Sequence, residues 1–347
     1  MTKILTIGSA TVDVFVECDE ANIVSVCSKD RNADFMSYPY GSKIDISSFS
    51  SNVGGGGVNT ASNFANLGFD TSAIFKIGED IYSEGILNYF KHTKVKLDNI
   101  IQKKDTSTGF SIILVSFQGD RTVLAHRGAN AELNVKEINF EAIKEADFLY
   151  VAPLNGDSNK VLEPLVEFAH SNGTMVCFNA GTTSLKRGFS HLQKMLNTAN
   201  VVVMNREEAT MATGIQVRPD TKTVKFSHDV IHRDIKTMLE KLKVMDYQVV
   251  VITDGGKGAY AYNGKKFYYC PTYPSDVIST LGAGDAFAST FCASLQRTNL
   301  DVGKSLMYAS VNSASVVSKF GATEGFLTFE EIEAKLDANS EYTYLEG

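Results

Sequence analysis

Ser279-Thr280-Leu281-Gly282-Ala283-Gly284-Asp285-Ala286-Phe287 sets one carboxylate directly after a small-residue turn and ahead of an apolar run. That run, Ala286 to Leu295, reads as a buried helix. Gly282, Ala283 and Gly284 then fall on its first turn, where backbone N–H groups lack helical partners and the helix dipole favours negative charge. The stretch is an anion site. A carboxylate inside an anion site repels a bound phosphate unless it has a task there, and taking a proton from an attacking hydroxyl is such a task. A bare Gly-x-Gly-Asp reads equally well as a tight turn with a stabilising first-turn acid, so the rest of the chain must decide.

The 347 residues, 44% hydrophobic and 21% charged, have the balance of an ordinary globular protein. At about 150 residues per domain this length fits two domains, or one large α/β domain with an appendage. A net charge of −7 argues against nonspecific binding to nucleic acid or anionic membrane. An anionic ligand must therefore be drawn by local backbone dipoles and a metal. Cys18, Cys27, Cys177, Cys270 and Cys292 are scattered and lack CxxC spacing, which fits reduced core thiols. The short apolar run at Met1–Gly8 lacks the length of a signal peptide, and no run of about 18 apolar residues follows. A cytoplasmic location is the expectation.

Short apolar runs alternate with helical patterns, the signature of a mostly parallel sheet covered by helices. Strands are expected at Lys3–Gly8, Ser72–Lys76, Phe148–Ala152, Met175–Asn179, Val201–Met204 and Gln248–Thr253. Helices are expected at Val58–Leu67, Tyr82–Lys91, Lys136–Glu145, Ser158–Ser171, Phe189–Leu196 and Glu207–Thr213, then after Asp285, at Val302–Lys319 and from Phe329. Asn263-Gly264 between Ala259–Tyr262 and Lys265–Cys270 signals a hairpin. Two stretches break the alternation: Phe15–Ser51, polar and without helical period, and Ser107–Gly128, a hairpin pattern around Gly119-Asp120. Together they read as a small β lid over the main domain. Gln216–His228, with Arg218-Pro219-Asp220, reads as a surface insertion.

Several separated motifs agree with one family, and over nearly its full length the chain resembles the ribokinase-like (PfkB) carbohydrate kinases. Gly282-Ala283-Gly284-Asp285 is similar to the family's C-terminal signature. There the Asp deprotonates the acceptor hydroxyl and the preceding amides form an anion hole. Gly54-Gly55-Gly56-Gly57-Val58-Asn59 resembles the family's Gly-Gly-x-x-x-Asn, which implies that Gly54, Gly55 and Asn59 contact the acceptor. Asp13, after the first strand, corresponds to the acid that binds acceptor hydroxyls. On the donor side, Asn205-Arg206-Glu207-Glu208 resembles Asn-x-x-Glu, implying that Asn205 and Glu208 hold Mg²⁺ through water, in keeping with that ion's preference for few carboxylates and several waters. Thr253-Asp254-Gly255-Gly256-Lys257-Gly258 resembles the glycine turn that approaches ATP, implicating Thr253, Gly255 and Gly258, and Asn179 faces the phosphates in this reading.

The resemblance implies a three-layer α/β/α sandwich with a mostly parallel central sheet and a small β-sheet lid. Residues 1–14, 52–106 and 129–347 would form the nucleotide-binding domain, and 15–51 and 107–128 the lid. It implies an ATP- and Mg²⁺-dependent kinase acting on a hydroxyl of a sugar, with a nucleoside kinase and a catalytically silent sugar-binding protein as alternatives. Kinases of this type often pair through the lid, so a homodimer is one expectation. The chain departs from the family at Ser279, where members that bind a monovalent cation usually carry Asp, and at Leu281. A neutral hydroxyl is a poorer ligand for a hard cation, which argues against potassium activation. Competing motifs are weaker. His228-Asp229-Val230-Ile231-His232 echoes a zinc helix with the wrong acid, the glycine run does not complete G-x-G-x-x-G, and there is no P-loop.

Overall fold

A computed structural model of the chain describes residues 1–18, 21–27, 32–116, 121–218 and 231–347. The expected Gly119-Asp120 turn, the Pro219-Asp220 pair and His228 lie outside these residues. The main sheet has nine strands. Six run parallel, in the spatial order β6 (Asp70–Ile74), β1 (Lys3–Ile7), β11 (Phe148–Val151), β12 (Met175–Asn179), β13 (Val201–Asn205) and β14 (Val249–Thr253). Three antiparallel strands follow, β15 (Ala259–Tyr262), β16 (Phe267–Cys270) and β17 (Leu345–Glu346), the first two joined at Asn263-Gly264. Runs such as Val201–Met204 are buried along their whole length, as strands with helices on both faces must be.

Alternate residues of each strand feed opposite cores. Leu149, Val151, Val202 and Val250 face one helical layer, made of α3 (Phe140–Glu145), α4 (Leu162–Ser171), α5 (Thr182–Lys186), α6 (Phe189–Leu196), α7 (Arg206–Thr213) and α8 (Arg233–Leu242). Phe148, Tyr150, Val201 and Val251 face the other, made of α1 (Gly56–Asn66), α9 (Ala283–Arg297), α10 (Val302–Val317) and α11 (Phe329–Ala338). The three-layer α/β/α expectation is met.

The second sheet has four strands in the order β10 (Arg121–His126), β9 (Gly109–Val115), β2 (Thr11–Glu17) and β5 (Ser48–Gly54). One face of β2, with Val12 nearest the body, packs towards α2 (Ile81–Phe90) through the cluster that holds Ile86 and Phe90. Two small ribbons pair β3 (Asn22–Cys27) with β4 (Asn32–Ser37), and β7 (Lys76–Gly78) with β8 (Ile101–Lys103).

Local differences from the sequence expectations have physical causes. The expected helix 136–145 is a short 3-10 turn, Val135–Glu137, capped by Asn134, followed by α3. Asn134 and Glu137 close a capping box at the start of that turn, and the extended backbone of Ile138 ends it. The expected helix 158–171 likewise begins as 3-10 turns at Gly156–Val161 before α4. Helix α8, with Ile235, Met238, Leu239 and Leu242 buried, is one the sequence reading did not name; its apolar stripe is interrupted by five charged residues in ten.

Beneath the first turns of α1 and α9 lies a closed polar network. Asn63 Nδ2 donates to Ser289 Oγ (2.8 Å) and Thr290 Oγ1 (2.9 Å), and Asn312 Nδ2 donates to Asn63 Oδ1 (2.9 Å) and Thr290 Oγ1 (2.7 Å). Ser289 Oγ donates to the carbonyl of Asp285 at 2.5 Å. Asn63, Ser289, Thr290 and Asn312 are all fully buried, and the bonds they make are what permits that burial.

Candidate active site

Parallel strands deliver their C-terminal ends to one edge, and in open α/β sheets ligands bind there. Asn205 closes β13 in register with Thr253, which closes β14, while Asn179 closes β12 opposite Val203. Arg206 Nη1 donates to Asp254 Oδ2 at 3.1 Å, tying the start of α7 to the glycine turn.

Two first turns meet over this edge. Helix α1 starts at Gly55, whose φ of 95° a side chain would strain. Its early amides are anchored on Ser9: Gly57 N–H donates to the Ser9 carbonyl (2.8 Å) and Gly56 N–H to Ser9 Oγ (3.2 Å). Helix α9 starts at Gly282 in the left-handed region. Ala283 turns its amide back to the Thr280 carbonyl at 3.4 Å. Gly284 and Asp285 hold the next two first-turn positions, whose N–H groups have no partner within a helix, and Gly284 is exposed. The unpartnered first-turn amides thus centre on Gly284 and Asp285.

Asn59, from α1, donates its Nδ2 to Asp285 Oδ2 at 2.8 Å across 226 positions of sequence. Burial pushes the Asp285 carboxyl above its ordinary range, and the Asn59 bond opposes that rise. The other amide atom of Asn59, Oδ1, is buried and lacks a hydrogen-bond partner within the protein. A buried acceptor without a donor costs about 1–3 kcal/mol, and a hydroxyl beside Asp285 would satisfy it.

Asn205 and Glu208 form a reciprocal cap at the start of α7. Glu208 N–H donates to Asn205 Oδ1 (2.8 Å), and Asn205 N–H donates to Glu208 Oε2 (3.0 Å). The Asn205 carbonyl oxygen is therefore committed within the protein, which leaves the Glu208 carboxylate as the group able to face a cation. Burial lifts Glu208 to about 7 against the Asn205 hydrogen bond, with the charges of Glu207 and Asp285 adding to the rise. The Asp285 charge adds to the Glu208 rise, so the two carboxyl groups share one neighbourhood. Among the described residues no group of three or more His, Cys, Asp or Glu could hold a metal; a single carboxylate such as Glu208 is compatible with an ion that keeps most of its ligands as water and phosphate, as Mg²⁺ does.

Beside the first turn of α9 lies a cavity of about 390 Å³. Thr253, Gly255, Gly258, Ala283 and Gly284 line it, joining two motifs that sequence keeps apart. Its apolar wall comes from Val277, Phe287 and Val317. Sequence reasoning missed Val277 and Val317; the signal was two adjacent apolar residues, Val277 and Ile278, exposed in a loop. Gly258, at φ 94°, presses on the carbonyl of Cys270 where a Cβ would collide.

On β2 of the four-stranded sheet, Asp13 is buried and accepts hydrogen bonds from Ser111 and Thr11; burial outweighs these and raises its carboxyl above the usual range. Gly54 lies against that carboxylate, and a Cβ there would collide with Oδ2. Asn179 gives its Nδ2 to the Tyr150 hydroxyl (3.3 Å) below the site. Ser279 is buried and its Oγ accepts from Leu281 N–H at 3.3 Å. His232 caps α8, its Nδ1 accepting from Asp234 N–H (3.0 Å), on the layer away from α1 and α9.

Known proteins repeat this architecture. Residues 1–328 match a family model described as pfkB family carbohydrate kinase. The chain is 26% identical over 335 residues to a bifunctional ribokinase/ribose-5-phosphate isomerase A of Fructilactobacillus sanfranciscensis, covering 96% of this chain and 56% of that longer protein. It is 25% identical to a ribokinase of Bacillus subtilis, covering 97% of this chain and all of the relative. In structure it is similar to a Methanocaldococcus jannaschii nucleoside kinase, a member of the ribokinase family, with a TM-score of 0.76 and 19% identity over 97% of this chain and 99% of the other. The chain belongs to the pfkB family of carbohydrate kinases, phosphotransferases with an alcohol group as acceptor.

Proposed function

We propose that the chain transfers the γ-phosphoryl group of ATP to a hydroxyl of a sugar, with Asp285 as general base. The observation that carries this reading is the Asn59–Asp285 pair, in which one amide atom steadies the carboxylate and the other waits, buried, for a hydrogen-bond donor. An acceptor hydroxyl placed there gives its one proton to Asp285 as its oxygen attacks the γ-phosphorus, while a neighbouring donor of the bound acceptor satisfies Asn59 Oδ1. Asp13 grips other hydroxyls of the acceptor from β2, and Gly54 and Gly55 let the backbone come close. The Gly282–Gly284 turn and the Asp285 amide receive the negative charge of the transferring group in a preorganised cradle. Positioning and electrostatics then supply most of the rate, as in phosphoryl transfer generally.

ATP occupies the cavity between Thr253–Gly258 and α9, with Asn179 on the phosphate side. Mg²⁺, held through water by Glu208 at the Asn205 cap, supplies charge neutralisation between the phosphates when bound. Segments 15–51 and 107–128 act as the lid, keeping bulk water from the phosphoryl group.

The test is ADP release from ATP and Mg²⁺ with a panel of free sugars, phosphosugars and nucleosides, with and without potassium. Turnover with one acceptor class, unchanged by potassium, is the expected result, because Ser279 offers a hydroxyl already engaged by Leu281. Sugar binding without turnover on any acceptor would sink the kinase reading in favour of a silent binding protein.

A further inference from the structure

Besides its packing on α2 through Val12 and Phe110, the four-stranded sheet meets two loops beside the Gly282–Gly284 turn. Phe15 of β2 meets Phe320 edge to face, with ring centroids 5.4 Å apart. Arg121 of β10 donates from Nη2 to Thr280 Oγ1 at 2.7 Å. Asn52 of β5 lies over Gly321, where a Cβ would come within 3.3 Å of the Asn52 Cγ. The two loops are themselves joined. Ile278 and Ser279 N–H groups both donate to the Val317 carbonyl (2.8 and 3.1 Å), and Gly282 presses on Ala322 closely enough that a Cβ would lie 2.6 Å from its carbonyl oxygen. The lid is thus seated on the walls of the reaction centre.

These contacts limit the depth of the acceptor chamber. Asp13 and Phe15 are two residues apart on β2, so their side chains leave the same face about 7 Å apart. Ile113 of β9 pairs with Phe15 and Val123 of β10 pairs with Ile113, which extends the apolar wall across the sheet. Phe15 is 4% exposed and Ile113 1%, so the wall beside Asp13 is filled, while Val123 at its outer edge is 46% exposed. An acceptor gripped by Asp13 therefore has about one strand pleat of room before it meets aromatic side chain. A single sugar ring fits this span. A nucleoside carries a base beyond its ribose and would have to part Phe15 from Phe320.

Resting on the kinase reading above, we infer that the acceptor is a free monosaccharide and that the Phe15–Phe320 contact is the specificity gate that excludes nucleosides. The test compares kcat/KM for D-ribose and D-fructose against inosine and adenosine in the wild-type chain, Phe320→Ala and Phe15→Leu. Phe320 is 42% exposed, so its truncation leaves the core intact, while Phe15→Leu keeps an apolar contact and removes the aromatic edge.

In the wild-type chain a sugar should be turned over in preference to either nucleoside. In Phe320→Ala the nucleoside-to-sugar ratio of kcat/KM should rise by at least about tenfold, the lower end of what a hydrophobic pocket wall contributes to discrimination. Phe15→Leu should move it the same way by less. A wild-type preference for a nucleoside, or a ratio unmoved in both variants, overturns the gate and leaves the kinase standing. Absence of turnover with every acceptor overturns the kinase reading itself.

Discussion

The proposed acceptor and donor halves of the site are built from opposite materials. On the proposed acceptor side, polar side chains converge from distant segments: buried Asp13 from β2, buried Asn59 from α1 and half-buried Asp285 from α9. On the donor side, glycine backbone and small residues enclose a cavity whose wall is apolar. The difference follows from what each half must do. A sugar hydroxyl needs directional partners and a base, whereas a nucleotide needs room, amides and an apolar surface for its base. Substitutions on the acceptor side should therefore cost far more in rate than in nucleotide affinity.

The largest break comes from Asp285→Asn. Turnover should fall by about 10²–10⁴-fold, the usual loss on removing a general base, while ATP affinity measured by calorimetry stays within a few-fold. Unchanged turnover would remove Asp285 from the chemistry. Asp13→Ala should raise the acceptor KM by about 10- to 100-fold, as expected for a charged hydrogen-bonding partner worth about 1.5–3 kcal/mol, and leave the ATP KM alone. An unaltered acceptor KM would confine Asp13 to lid folding.

The smallest of the three effects probes the boundary between the halves. Glu208 sits near 7 in the protein against 4.5 when free, so below pH 7 it is protonated and a proton competes with Mg²⁺. Mg²⁺ affinity, read by calorimetry at pH 6 and pH 8, should weaken on the acid side by up to about tenfold per pH unit, with a proton released on binding. Glu208→Gln should flatten that dependence; an equally steep dependence in the variant would place the cation elsewhere.

Much of this division was legible before any coordinates. Gly-Ala-Gly-Asp, the glycine run ending at Asn59, and Thr253–Gly258 are local patterns, and local patterns report turns and first-turn amides directly. The sheet was legible for the same reason, since fully buried parallel strands leave continuous apolar runs at Phe148–Val151 and Val201–Met204. Pairings between distant segments were not. Nothing in the order of residues says that Asn59 spends its nitrogen on Asp285 and leaves its oxygen bare, that Asn205 commits its carbonyl to a cap, or that Phe15 finds Phe320. Those facts depend on how two sheets sit on one another, and a single chain carries no periodic signal for that. The missed wall of the donor cavity is a further case, because Val277 and Val317 become neighbours only through the backbone bonds that join their loops.

The polar network under α1 and α9 has a consequence for motion. Asn63 and Asn312 bond to each other and to Thr290, so no one of helices α1, α9 and α10 can slide without stranding buried amides and hydroxyls in the others. Their backbone N–H groups should consequently exchange with deuterium as one cooperative unit of high protection. The exposed ribbon β3–β4 should open independently and much faster, so that isotope labelling would draw the seam between a machine frame that stays rigid and an outer flap that does not.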